Sequence, residues 1–189
     1  MRSKALMALA LLVLTAMPNP ALAVWNSYIS HALGFSFRAP GEIGVEKGVY
    51  RAAVGGEREA IIYRSLDNNI EYRVSIVDFR DRAEEGSVLM EEAAFILQDD
   101  MHVLMNDFGR VDTGTDAVYG RRMTIDLPNE GGRKSVATYF TMGRLFIMEA
   151  TVLPENGDYG TPDAGLFINS LVFVLERTEP DAAELPLPQ

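Results

Sequence analysis

Cysteine is absent from the 189 residues. Its absence excludes disulfide crosslinks, thiol nucleophiles and thiolate metal sites, and it removes the acylated cysteine on which a bacterial lipoprotein anchor depends. Histidine is almost as scarce. His31 and His102 stand far apart and outside any His-Glu-x-x-His frame, too few for a histidine zinc site. Gly-x-Ser-x-Gly elbows, Gly-Lys-Ser/Thr phosphate loops and dinucleotide fingerprints are also missing, so serine-hydrolase and nucleotide chemistry lose their usual carriers. Carboxylates are plentiful, but Asp99-Asp100 and Glu155-Asn156-Gly157-Asp158 do not follow the spacing of an EF-hand loop. They read as a solvated face and a turn. No cofactor is expected.

Long apolar runs are scarce too, and the one at Ala5–Met17 is shorter than the roughly 20 residues that span a bilayer. It comes after the positive start at Arg2 and Lys4 and precedes Pro18-Asn19-Pro20 and Ala21-Leu22-Ala23. This order predicts a cleavable export signal over 1–23, cut after Ala23, with neither a membrane span nor a lipid anchor remaining. Localisation would then be periplasmic or secreted. The net charge of −10 combines 17 basic and 27 acidic residues, and because Arg2 and Lys4 belong to the signal it deepens to −12 beyond Ala23. Such a balance disfavours nucleic acid and anionic membranes as partners.

Beyond the signal the chain alternates with period two. Phe35-Ser36-Phe37 before Pro40-Gly41, Val45–Ala53, and Ala60–Tyr63 each read as strands separated by turns, with Gly55-Gly56 marking one reversal and Leu66–Asn69 another. Ile70, Tyr72, Val74 and Ile76 then fall cleanly on one face. The period changes to three and four over Leu89, Ala93, Ile96, Leu97, Met101, Leu104, Met105 and Phe108. That spacing predicts an amphipathic helix over Ser87–Phe108, capped by Ser87, with Glu91 and Glu92 near its positive end and Gly109 as its left-handed stop.

Strands return as a meander over Val118–Leu127, Ser135–Thr141 and Leu145–Leu153, with turns at 128–132 and at Met142-Gly143. Setting Leu127 opposite Arg133 pairs Asp126 with Lys134 and groups Met123, Ile125, Ala137, Tyr139, Phe146 and Met148 on one core face. Val136, Leu145 and Ile147 make the other face apolar as well, so both sides of the sheet need cover. Thr161, Pro162 and Asp163 open a second helix that runs through Leu166, Phe167, Ser170 and Leu171. Leu171–Leu175 fits either its continuation or a strand. One α+β domain over 24–175 is expected, followed by a frayed acidic, proline-rich tail over 176–189.

This order resembles the PsbP/Mog1-like domains. The residues that carry the resemblance are Phe35-Ser36-Phe37-Arg38-Ala39-Pro40 at the start, the central helix, Gly120-Arg121-Arg122 at the meander and the closing Leu166-Phe167-Ile168-Asn169-Ser170. The resemblance implies an antiparallel sheet flanked by a long central helix and a short C-terminal one. It also implies a non-enzymatic accessory protein that docks on a larger assembly, and it carries over no catalytic residue.

Within so acidic a chain, Arg121, Arg122, Arg133, Lys134 and Arg144 concentrate positive charge in the meander. Together with Tyr139 they are the candidate partner- or ligand-binding residues. Arg121 and Arg122 point to opposite faces of one strand, so the set cannot form one patch, and cross-strand pairing with carboxylates is the commoner use of such residues. The leading expectation is an exported, non-catalytic binding protein whose partner is another protein. The alternatives are a carrier of a small apolar or anionic ligand held between the long helix and the sheet, and a metal-assisted hydrolase with Asp or Glu ligands.

Overall fold

The computed structural model describes residues 24–113, 116–173 and 181–189. The expected export signal lies outside them. In chain order the strands are β1 (Trp25–Ser30), β2 (Phe35–Pro40), β3 (Gly44–Ala52), β4 (Gly56–Asp67) and β5 (Ile70–Asp78). A 3-10 segment, Arg80–Glu85, leads into α1 (Gly86–Gln98), after which come β6 (His102–Asp112), β7 (Ala117–Asp126), β8 (Arg133–Thr141) and β9 (Arg144–Val152). The chain closes with α2 (Pro162–Ile168), β10 (Val172–Phe173) and β11 (Ala183–Glu184).

Seven of these strands form one antiparallel sheet in the order β3-β4-β5-β9-β8-β7-β6. Its tight reversals use residues that tolerate the left-handed region. Asn68 and Asn69 link β4 to β5, and Met142 and Gly143 link β8 to β9, all four with positive φ, as two-residue hairpin turns that match the twist of their strands require. Ile70, Tyr72, Val74 and Ile76 are buried together as their alternation predicts.

One face of this sheet is covered by the smaller sheet β10-β2-β1-β11 and by α2. The core between them is aromatic. Phe35 stacks on Phe37 and packs against Tyr63 and Phe146, while Phe167 of α2 meets Phe37 and Tyr72 edge-on. α2 begins as its sequence dictates: the Thr161 hydroxyl accepts the Asp163 N–H, and Pro162 occupies the first turn. The ambiguous segment at 171–175 is a strand where described, since Val172–Phe173 pairs with Phe35–Ser36. The end of the chain departs from the expected frayed tail. Ala183–Glu184 runs parallel to Tyr28–Ile29, Leu185 is buried in the main core, and the Tyr63 hydroxyl donates to the Pro186 carbonyl at 3.1 Å.

α1 covers the other face, and here the helix expected over Ser87–Phe108 is corrected: it ends at Gln98. Asp99 and Asp100 both adopt positive φ, the Asp99 N–H closes on Phe95 O, and the chain turns out of the helix into β6. Gly109 is therefore a mid-strand residue. Ser87 does not cap α1 either, because the helix continues directly from the preceding 3-10 segment and Glu85 holds the cap position. Leu89 and Ala93 pack on Ala60, Val77, Phe79, Leu145 and Ile147, and Ala94 packs on Met123, Ile125 and Val136.

The meander has the expected three strands with a register one residue from the expected one. The Leu127 N–H donates to the Gly132 carbonyl, which leaves Asp126 opposite Arg133 and Ile125 opposite Lys134. Because side chains alternate, that slip moves Met123 and Ile125 to the α1 face, while Ala137, Tyr139, Phe146 and Met148 stay in the aromatic core.

Candidate protein-interaction surface

β6 ends the large sheet, and among the described residues no strand pairs with its outer edge. Its first part is interrupted by a bulge between Val103 and Met105, which restores Asn106 and Phe108 to the α1 face after Val103. Phe108 stands opposite Arg121 and is 72% exposed. On the same face, Tyr119 stands opposite Arg110 and is 63% exposed. α1 adds Phe95, 77% exposed, one turn beyond Glu91 on its flank.

Arg121 ties helix and edge together. Its guanidinium donates to both Glu91 carboxylate oxygens, at 2.9 and 3.2 Å, and lies 4.7 Å from the centre of the Phe108 ring. The strand is thereby fastened to the helix, and Phe108 is presented to solvent without collapsing onto the sheet. Among the described residues, Phe95, Phe108 and Tyr119 are the three aromatic side chains of this protein that are more than half exposed. Their grouping beside an unpaired strand edge makes this the outstanding surface of the molecule.

The other basic residues of the meander are scattered. Arg122 points to the opposite face, where its Nε donates to the Tyr139 hydroxyl at 3.3 Å. Tyr139 is fully buried, its ring lying across the facing glycines Gly109 and Gly120. Arg133 binds Asp126 at 2.8 Å, and this bond holds the Asp126 carboxyl below its ordinary pKa. Lys134 reaches the buried Glu149 at 3.0 Å, with Arg73 on the same carboxylate at 3.6 Å. Arg144 lies at the far end of the meander, opposite Asp78. Of the six candidates, then, Arg121 alone belongs to the exposed aromatic surface. Sequence reasoning does not single out Phe95, Phe108 or Tyr119 as site residues, because the helical period assigns Phe108 to a buried stripe.

The acidic segments serve local structure. Asp99-Asp100 forms the corner after α1, whereas the Asn156 side-chain oxygen Oδ1 accepts the Asp158 N–H and the Asp158 carboxylate accepts the Gly160 N–H. Two shallow clefts, of about 350 and 500 Å³, lie on the β3–β4 hairpin and open to solvent. Neither is the space between α1 and the sheet that a carrier would use. Among the described residues no helix is long and apolar enough to cross a membrane.

No protein-family model matches the chain, and no curated protein matches it in sequence. Among solved structures, it is similar to the solution structure of cyanobacterial PsbP (CyanoP) from Synechocystis sp. PCC 6803, with a TM-score of 0.50 over 82% of this chain and 95% of that one. The fold is PsbP-like. At 12% identity the likeness concerns the fold alone.

Proposed function

We propose that this protein is an exported, non-catalytic accessory domain that docks on another protein through the outer edge of β6 and the adjoining flank of α1. The observation that carries the reading is the grouping of Phe95, Phe108 and Tyr119 in solvent, whereas every other aromatic among the described residues is at most 37% exposed. Leaving three large rings in water forgoes burial worth about 2 kcal/mol each, a cost that an interface recovers. The PsbP-like fold supports the reading because accessory docking is what that resemblance implies, and the export signal over 1–23 supports a partner in the envelope or outside the cell.

Paired substitution tests it. Phe95→Asp with Phe108→Asp should leave folding intact, because both side chains are exposed, and should abolish recovery of a stoichiometric complex from envelope extracts. A complex that survives both substitutions would refute this docking face.

A further inference from the structure

We infer that the occupant of this edge is an extended partner segment in which apolar and basic residues alternate, added as a further strand beside β6. The inference rests on the docking reading and specifies the partner's chemistry. Beyond the bulge, β6 runs in continuous register from Asn106 to Asp112; the Phe108 N–H is held by the Asp107 carboxylate at 2.7 Å, and among the described residues no strand pairs with the outer edge, which an added strand would take. The two faces of that edge differ. On the α1 face an incoming strand meets Phe108, with Tyr119 and Phe95 beyond it. On the other face it meets the exposed Asp107, whose carboxylate accepts the Phe108 N–H through one oxygen, with Arg122 opposite it in register. Successive residues of the added strand therefore face aromatic rings and a carboxylate in turn.

Charge selects among possible occupants. Glu91 is neutralised by Arg121, and Asp112 by Arg110 at 2.6 Å, which leaves Asp107 and the Asp99-Asp100 corner as uncompensated negative charge around the aromatics. A second copy of this chain would bring the same acidic surface and a net charge of −10. A basic segment gains attraction where a copy meets repulsion.

The test is titration of the full chain beyond Ala23 with three synthetic peptides, monitored by backbone amide NMR. The peptides are Lys-Val-Lys-Phe-Lys-Val-Lys, the same peptide with Glu for Lys, and one of the first peptide's composition with its lysines in one block. The alternating basic peptide should bind, shift amides between Val103 and Val111, and weaken at least about tenfold in Asp107→Lys and on raising salt from about 50 to 200 mM. Equal binding by the block or acidic peptide, no binding at millimolar concentration, or a dimer formed through β6 would each overturn the inference. Failure here with loss of the complex in the Phe95→Asp, Phe108→Asp chain would discard strand addition and keep docking. Survival of the complex in that chain would discard docking itself.

Discussion

Tyr139 shows how single residues fix the geometry of the edge. Its ring is seated where Gly109 and Gly120 face each other across β6 and β7, and a Cβ on Gly120 would fall 2.0 Å from the Thr138 carbonyl oxygen and 2.5 Å from the Tyr139 ring. Neither neighbour has room to move, since Thr138 and Tyr139 are fully buried. Gly120→Ala should therefore destabilise the protein by about 2 kcal/mol or more in urea unfolding. Gly165→Ala in α2 provides the contrast, because nothing lies within 4 Å of its Cβ position. There the helix-favouring methyl should leave stability unchanged or raise it by up to about 1 kcal/mol. Equal losses at the two sites would contradict the packing described around Tyr139.

Elements are legible in the sequence where one periodicity acts alone. The β5 alternation, the Asn68-Asn69 and Met142-Gly143 reversals and the Thr161-Pro162 helix start all stand where their residues put them. The α1–β6 boundary is hidden because Leu104, Met105 and Phe108, all exposed on β6, continue at spacings of three and four the helical rhythm of Leu97 and Met101, and only the two left-handed aspartates end the helix. The proposed interaction surface is hidden for the same reason, since a Phe108 assigned to a helix stripe reads as core. β11 is hidden by its acidic, proline-rich setting. Its place depends on the free edge of β1, a long-range partner that no local pattern reveals. Chains ending at residue 180 should lose the Leu185 burial and the Tyr63 hydrogen bond, about 2 kcal/mol in total, in a chemical denaturation comparison. Unchanged stability would mean that the terminal strand contributes nothing.

Across the whole molecule, acidity sets how stability depends on pH, and in the proposed reading it also selects the partner. Hydrogen bonds from Arg80, Arg58 and Arg133 hold Asp78, Asp81 and Asp126 below their ordinary 3.8, and the bond from Arg82 holds Glu85 below 4.5. A carboxyl with a lowered folded pKa contributes stability above its unfolded value and loses it as pH falls through the folded one. Stability should consequently hold from neutral pH to about 5 and fall progressively below about 4, with no loss of comparable cause on the alkaline side up to about 9. Unfolding midpoints in urea at pH 7, 4 and 3 check the sign.

In the proposed reading, the same acidity, interrupted by exposed aromatic rings at one sheet edge, directs this PsbP-like protein toward a basic partner. Photo-crosslinking in the producing cells tests that most directly, with benzoylphenylalanine placed at Phe108 in one chain and at Val49, exposed on the opposite edge strand β3, in another. A discrete adduct of one mass from position 108 and none from position 49 is the predicted result. Equal labelling from both edges, or none from 108, would contradict the assignment of β6 as the docking edge.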